Sequence, residues 1–259
     1  MAEAESMVRW EVTDSIAVIT LDKPQTRNSV GLAAMRDAGD RLEESAARDD
    51  VRCIILTGAD GAFCAGADLT GGGFGDEDSA RLMMAAIART IRLIAEVPVP
   101  VIAAVEGAAA GVGASFALAS DLIVASSEAF FLLPFTGIGL IPDGGATATV
   151  AAAVGRPRAM RLALLRERFW AVDAHRAGLV SEVCEPGQAL DIARRWAGGI
   201  AAGPRRAIAE TKAAINGFCF ADLGLALDLE ARLQTELLGS AEFAEGAAAF
   251  KERRVPRFP

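Results

Sequence analysis

The sequence predicts an α/β layered protein whose second half is mainly helical. Strand-like and helix-like segments alternate through the first half of the 259 residues, and helical spacing dominates afterwards. Hydrophobic residues make up 52% of the chain and charged residues 23%, which is typical of a globular protein and argues against disorder. Because neither a linker-like stretch nor an internal repeat interrupts this pattern, we expect one continuous domain.

The first half contains runs of β-branched residues that predict strands. The predicted strands are residues 8–12, 15–21, 51–56, 97–105 and 122–125, the first two joined through a Thr13-Asp14 turn. Apolar residues at helical spacing predict helices at residues 32–48, 80–95 and 107–120. Residues 71–78 contain four glycines and three acids, so they are expected to form a flexible loop.

The second half is predicted to be helical except for a short strand at residues 179–184. The predicted helices are residues 144–154, 156–165, 172–177, 190–202, 205–217, a long helix carrying Leu225, Leu229, Leu233 and Leu237, and residues 241–253. Within one continuous domain, we therefore distinguish an α/β core at residues 1–200 from a helical region at residues 201–259.

Charge and cysteine usage exclude several classes of function. The net charge of −8 opposes non-specific binding to nucleic acid or to an anionic membrane. The four cysteines are scattered without a CxxC pair, so neither a zinc site nor a disulfide framework is expected. No secretory signal and no membrane span are predicted, and we expect a cytoplasmic protein with no metal.

Two glycine-rich segments follow predicted buried strands, at residues 61–69 and 106–115. Small residues let a ligand approach the backbone closely, and free N–H groups at the start of a helix favour an anion. Two such segments facing each other can hold a developing oxyanion. The alternative interpretation is that these glycines serve tight packing of helix against strand.

Two side chains are candidates for acid–base chemistry. Asp143 stands in residues 139–145 just before a predicted helix, where it is either an N-cap or a catalytic carboxylate. His175 is the one histidine of the chain, and its place in a short amphipathic helix favours a surface or packing role.

Five segments in register resemble the crotonase (enoyl-CoA hydratase/isomerase) superfamily. They are Leu21-Asp22-Lys23-Pro24 with Arg27-Asn28, residues 63–69 (FCAGADL), residues 101–107 with 111–121, residues 139–145 (GLIPDGG), and the ending at residues 245–258. The resemblance implies ββα turns stacked in a spiral, a coenzyme A thioester as substrate, and no separate cofactor.

The resemblance also implies the residues of the site. The N–H groups of Ala67 and Val112 would bind the thioester oxygen, and Asp143 would be the catalytic carboxylate. The implied substrate-binding residues are Lys23, Arg27, Ala65, Asp68, Leu69, Gly111, Ser115, Phe135 and Arg253. Positive charge for the coenzyme A phosphates is expected from Lys23, Arg27 and the Arg253-Arg254 pair. For that pair, a solvated helix end that stabilises the helix dipole is the alternative.

Two departures from the family pattern favour one reaction over another. Family hydratases activate water with two glutamates, and the corresponding positions here are Ser115 and Phe135. Neither side chain is a useful base at neutral pH. Asp143 occupies the position of the base in family members that shift double bonds, so we expect an isomerase. An ordinary enoyl-CoA hydratase and a non-catalytic acyl-CoA-binding protein are the alternatives.

We predict that the chain assembles into a homotrimer or a hexamer. The resemblance implies these states, and the leucine row from Leu225 to Leu237 with residues 247–250 indicates much apolar surface near the chain end. Sedimentation at micromolar concentration should give a trimeric or hexameric mass. A monomeric mass would contradict the prediction.

Overall fold

Parallel strands form the centre of the protein, which a computed structural model describes over residues 7–69 and 77–259. Within these residues, six strands form a sheet in the order β1-β2-β3-β4-β6-β9, and β5-β7-β8 form a second sheet. The strands are β1 (Val8–Thr13), β2 (Ile16–Leu21), β3 (Cys53–Gly58), β4 (Val101–Val105), β5 (Ala108–Ala110), β6 (Leu122–Ser126), β7 (Phe130–Leu132), β8 (Phe169–Trp170) and β9 (Glu182–Cys184). In the larger sheet, β1 runs antiparallel to β2 and the other neighbours are parallel.

The helices lie close to their predicted positions. They are α1 (Leu32–Ala47), α2 (Glu77–Glu96), α3 (Val112–Ala119), α4 (Ala146–Val154), α5 (Arg156–Leu165), α6 (Ala171–Arg176), α7 (Ala189–Ala201), α8 (Arg205–Cys219), α9 (Leu223–Leu238) and α10 (Ala241–Glu252), with 3-10 turns at Pro24–Thr26 and Phe135–Ile138. The prediction of an α/β core followed by helices is confirmed. The division at residue 200 stays a prediction.

The first hairpin shows how local sequence sets the register. Thr13 pairs with Ile16, so the two-residue turn is Asp14-Ser15, one residue later than predicted. Both turn residues have positive φ, 51° and 64°, as the tight turn of a twisted hairpin requires.

The prediction of one helix over residues 107–120 is wrong at its beginning. Ala108–Ala110 form β5 and pair in parallel with β7, where Ala109 lies opposite Phe131. Gly111 turns the chain with φ 54°, and α3 starts at Val112. Alanine favours helix locally, but pairing with a neighbouring strand decides its conformation here. The predicted loop at residues 71–78 lies largely outside the described residues, and Glu77 and Asp78 belong to the first turn of α2.

The larger sheet is buried on both faces, which explains its nearly continuous apolar strands. Alternate residues of β3 point to opposite sides: Ile54 and Leu56 join the main core, while Cys53 and Ile55 pack towards α7. On that second side α7 contributes Ala189, Ala193 and Ala197, small side chains that let the helix lie close to the sheet. None of the helices in the described part of the chain is long and apolar enough to cross a membrane.

The face of helix α9 that packs on the core contains both apolar and polar side chains. Its buried residues are Leu223, Leu227, Glu230, Gln234 and Leu238. The predicted leucine row lies elsewhere on the helix, since Leu225 is 71% exposed and Leu229 is 46% exposed. Two of the five buried positions are therefore polar, and both of those side chains point towards Asp143 or the start of α4.

Gly113 allows α3 to lie against the first glycine-rich segment. A Cβ at this position would lie 2.5 Å from the carbonyl oxygen of Cys64 and 2.6 Å from its Cβ. Since the obstruction includes backbone, Gly113→Ala should lower the free energy of unfolding by about 1–3 kcal/mol, as overpacking does. Urea denaturation measures the change.

Gly198→Ala is the matched control, because Gly198 is also helical and a Cβ there meets nothing within 4 Å. This control should be neutral or stabilising by up to about 1 kcal/mol, because alanine is the better helix former. Equal effects of the two substitutions would show that the contact with Cys64 is unimportant.

Candidate functional site

The two glycine-rich segments lie side by side in the structure. Cys64 forms a parallel bridge with Ala109, with hydrogen bonds from Cys64 N to Ala108 O (2.9 Å) and from Ala110 N to Cys64 O (2.9 Å). At the ends of this pairing, a Cβ on Gly66 would lie 3.0 Å from Ala110 O and 3.7 Å from Gly111 Cα. The backbones therefore approach each other as closely as glycine permits.

This pairing brings Ala67 and Val112 to the same cavity. Val112 is the first residue of α3, so its N–H has no acceptor within the helix. Ala67 forms a parallel bridge with Val30, but the two hydrogen bonds of that bridge involve Gly66 O and Asp68 N. The Ala67 N–H therefore points away from Val30, and both Ala67 and Val112 line the cavity.

The loop between β2 and α1 holds the first segment in place. Asn28 is buried, and its Nδ2 donates to Ala59 O (2.8 Å) and to Ala62 O (2.7 Å). Its Oδ1 accepts the Lys23 N–H, and the Arg27 carbonyl accepts the Ala65 N–H at 2.9 Å. Asn28 thus has a structural role at the site that its place in the early motif did not reveal.

Asp143 places a buried carboxyl group in the wall of the cavity. The residue is 6% exposed, and its Oδ2 accepts a hydrogen bond from Gln234 Nε2 at 2.8 Å. Its Oδ1 is buried and has no hydrogen-bond partner among the described residues. A buried polar atom without a partner is costly and uncommon, and such atoms often mark functional sites.

The surroundings of Asp143 raise its pKa to about 7. Burial is the main cause, because it disfavours the charged carboxylate. The hydrogen bond from Gln234 opposes this effect, and the negative charge of Glu230 adds to it. A carboxyl group with a pKa near neutrality can both accept and return a proton at physiological pH.

The interpretation of Asp143 as an N-cap is wrong. Helix α4 begins after Gly145, and the Asp143 side chain bonds to Gln234 instead of to the helix. Glu230 fills the capping role from α9, accepting hydrogen bonds from the N–H groups of Gly145 (2.7 Å) and Thr147 (3.1 Å).

Sequence reasoning missed Glu230 and Gln234. Both are 1% exposed, and they lie one turn apart on the apolar face of α9. The sequence did contain a signal, because Glu230 and Gln234 are polar residues at core positions of the amphipathic helix α9. That pattern lies outside the family-like segments, so motifs alone do not reveal it.

The cavity beside Asp143 is small, about 80 Å³, and mostly apolar. It is lined by Ala65, Gly66, Ala67, Leu69, Met83, Met84, Ile87, Gly111, Val112, Pro134, Phe135, Ile138, Leu140, Asp143, Gln234 and Leu238. Ser115 lies behind this wall, where its hydroxyl donates to the Asp143 carbonyl at 2.7 Å. The structure thus brings Ala65, Ala67, Leu69, Gly111, Val112, Phe135 and Asp143 together.

Apart from Asp143, the charged residues of the predicted site do not line this cavity: Lys23, Arg27, Asp68 and Arg253 lie outside it. Lys23 pairs with Asp68 through Nζ and Oδ2 at 2.7 Å, and the Arg27 side chain is exposed. At the end of α10, Arg253 is exposed with φ 56°, whereas Arg254 is engaged with Glu245 and lowers the pKa of that carboxyl to about 2.

His175 has the packing role that its position suggested. Its Nδ1 lies 2.9 Å from the Val180 carbonyl oxygen, which ties α6 to the segment that follows it.

Known proteins of one family resemble this chain along nearly its whole length. The family model described as enoyl-CoA hydratase/isomerase matches residues 11–259. A probable enoyl-CoA hydratase of Rhodobacter capsulatus is 40% identical over 97% of each chain, and the 1,2-epoxyphenylacetyl-CoA isomerase of Escherichia coli is 35% identical over 95% of this chain and 96% of its own. The crystal structure of an enoyl-CoA hydratase from Mycobacterium avium subsp. paratuberculosis superimposes with a TM-score of 0.91 at 40% identity, covering 98% of this chain and 99% of the other. This likeness confirms the crotonase fold expected from the sequence.

Replacing Asp143 with asparagine should stabilise the protein at high pH. Because the pKa of Asp143 is raised on folding, its proton stabilises the folded state at low pH, and this stabilisation is lost as pH rises from about 4 to about 7. Asparagine has no proton to lose. At about 1.4 kcal/mol per pH unit, the gain in the free energy of unfolding should grow by up to about 3 kcal/mol between about pH 5 and about pH 8.

Urea denaturation of both proteins at the two pH values measures this gain. Asp191→Asn, the same substitution at an exposed position of α7, is the control and should show no such gain. If Asp143→Asn also shows none, the carboxyl group titrates normally.

Proposed function

The chain belongs to the enoyl-CoA hydratase/isomerase family, and from this premise we propose that it moves a double bond in an acyl-CoA thioester. One observation carries the proposal: Asp143 presents a buried carboxyl group, with one oxygen unpartnered, in the wall of an apolar cavity. In this proposal the backbone N–H groups of Ala67 and Val112, two residues of the cavity wall, bind an anion. Together these groups supply the base and the oxyanion site that enolate chemistry requires.

The thioester oxygen binds between the Ala67 and Val112 N–H groups in this proposal. Negative charge develops on that oxygen as the enolate forms, and the two N–H groups stabilise the charge without reorganising. The close contact of Gly66 with Gly111 supports this role, because it fixes both N–H groups on rigid backbone. Val112 contributes its N–H at the N-terminus of α3, where the helix dipole also favours negative charge.

Asp143 then transfers the proton between two carbons of the acyl chain. With a 3-enoyl thioester, the carboxylate takes a proton from C2, and the electrons of that C–H bond pass into a dienolate. The protonated carboxyl returns the proton to C4, which leaves the double bond between C2 and C3. No water is consumed, which suits a cavity lined mainly by apolar side chains.

Hydration is the second candidate function, because relatives of this chain are named enoyl-CoA hydratases. The two positions where family hydratases carry glutamates hold Ser115 and Phe135. Ser115 is fully buried and its hydroxyl is bonded to the Asp143 carbonyl, while Phe135 is a buried part of the cavity wall. A hydratase reaction would need Asp143 alone to activate water.

The coenzyme A phosphates would be bound outside the cavity. Arg27 and Arg253 are the exposed candidates, and Lys23 adds a further cation although it already pairs with Asp68. We also propose that the exposed apolar side chains of Leu225, Leu229 and Phe250 lie in contacts between copies of the chain.

The experiment compares wild type with Asp143→Asn on a 3-enoyl-CoA and on a 2-enoyl-CoA. We expect wild type to isomerise the first substrate, and Asp143→Asn to lose about 10²-fold or more of kcat because it lacks the base. Affinity for coenzyme A should change little, and Asp191→Asn should behave as wild type.

Two outcomes would overturn this proposal in different ways. Hydration of the 2-enoyl-CoA at rates ordinary for enzymes, about 1–10³ s⁻¹, would favour the hydratase. Binding of both thioesters without turnover of either would favour a non-catalytic acyl-CoA-binding protein.

A further inference from the structure

We propose that Gln234 of α9 is a positioning residue that orients the Asp143 carboxyl group and leaves Oδ1 as the oxygen that carries the proton. Glu230, one turn away on the same helix, acts on that carboxyl group through its charge. This inference rests on the proposed role of Asp143 as base. Neither residue belongs to the catalytic segments recognised in the sequence, and both approach from a helix 85–93 positions later in the chain.

The orientation of the Gln234 amide is determined by its neighbours. Its Oε1 accepts the Ile141 N–H at 3.1 Å, so its nitrogen must occupy the other side of the group. That nitrogen has two hydrogens, one directed to the Ile141 carbonyl (3.1 Å) and one to Asp143 Oδ2 (2.8 Å). A flipped amide would set its NH₂ group against the Ile141 N–H, so Gln234 is held as a donor to Oδ2.

This bond makes the two Asp143 oxygens unequal. Oδ2 is occupied by a donor that favours the charged form, whereas Oδ1 has no partner in the described structure. The Ser115 hydroxyl holds the backbone carbonyl of Asp143, and the Gln234 amide holds the side chain through Oδ2, so both the backbone and the carboxyl group are fixed. The proton therefore resides on Oδ1 when the group is protonated.

Glu230 acts on the same carboxyl group through charge. Its carboxylate accepts the N–H groups of Gly145 and Thr147 and the Thr147 hydroxyl, which hold it beside the start of α4. Burial raises the pKa of Glu230 and these hydrogen bonds oppose that rise. Once Glu230 is ionised, its negative charge disfavours ionisation of Asp143, whereas the Gln234 bond favours it. The two residues of α9 therefore shift the pKa of Asp143 in opposite directions: Gln234 lowers it and Glu230 raises it.

The other elements around Asp143 present no competing charge within the described residues that line the cavity. Helix α2 contributes Met83 and Ile87, and the 3-10 turn contributes Phe135 and Ile138. Helix α3 contributes the Ser115 hydroxyl, which bonds to backbone. The pH dependence of the reaction should therefore respond to substitutions at positions 230 and 234.

The test follows kcat/KM for 3-enoyl-CoA isomerisation against pH in the full-length protein. In wild type the rate should rise with pH as Asp143 loses its proton. Gln234→Met, which keeps the size and removes the donor, should move this acid limb to higher pH. Gln234→Glu should move it further in the same direction, because it keeps the Ile141 N–H acceptor and adds a negative charge. Each pH unit of movement changes the rate on the limb by about tenfold.

Glu230→Gln should move the limb the opposite way, to lower pH, because it removes the repelling charge. Leu227→Ala is the matched control: Leu227 is buried on the same face of α9 and does not line the cavity. It should destabilise the protein, as large-to-small core substitutions do, and leave the limb unmoved. Opposite movements at positions 230 and 234 are not expected from residues that only hold the fold together.

The outcomes separate this inference from the proposed function. If Asp143→Asn removes activity but both Gln234 variants keep the wild-type limb, Asp143 is the base and the inference about α9 is wrong. If Asp143→Asn keeps near-full activity, Asp143 is not the base, and the proposed mechanism and this inference are both wrong. Should Glu230→Gln fail to fold, the two Gln234 variants and Leu227→Ala still decide the question.

Discussion

The burial of the Asp143 carboxyl group is the constraint around which the site is arranged. An ionised carboxylate in an apolar wall is costly unless hydrogen bonds compensate, and here one oxygen has a partner and the other has none. The surrounding structure holds the group from three sides, through Ser115 on its backbone carbonyl, Gln234 on Oδ2, and the Gly144-Gly145 turn that follows. This arrangement raises the pKa of Asp143 to about 7, and a carboxyl group with such a pKa can serve as both base and acid near neutral pH.

A second constraint is the close approach of two backbone segments. Ala67 and Val112 line one cavity because Gly66 and Gly113 allow close backbone contacts that a Cβ would obstruct. Gly111 turns the chain just before Val112 with a positive φ that favours glycine. The segments differ in origin, one following β3 and the other joining β5 to α3, and strand pairing between Cys64 and Ala109 sets their alignment. The proposed oxyanion site would therefore be built from rigid backbone, which suits stabilisation of a charge that appears only during a reaction.

The C-terminal helices connect the stability of the fold with the chemistry of the site. Helix α9 packs Leu223, Leu227 and Leu238 into the core and, from the same face, provides the cap of α4 and the bond to Asp143. Helix α10 packs on the Phe135–Ile138 turn, where Gly246 lies against the Ile138 backbone. The cavity walls thus depend on helices that lie far along the chain from the glycine-rich segments and from Asp143.

The sequence by itself determined the alternation of strands and helices, the family, and the segments that contain Ala67, Val112 and Asp143. These features depend on local periodicity and on short motifs, which can be read without knowing what lies nearby in space. It failed at Ala108–Ala110, where strand pairing overrode helical preference, and at Glu230 and Gln234, whose partners lie more than eighty positions away. Only the tertiary structure decided whether Asp143 caps a helix or faces a cavity. The choice depends on distant side chains: Glu230 accepts the N–H groups at the start of α4, and Gln234 bonds to Asp143.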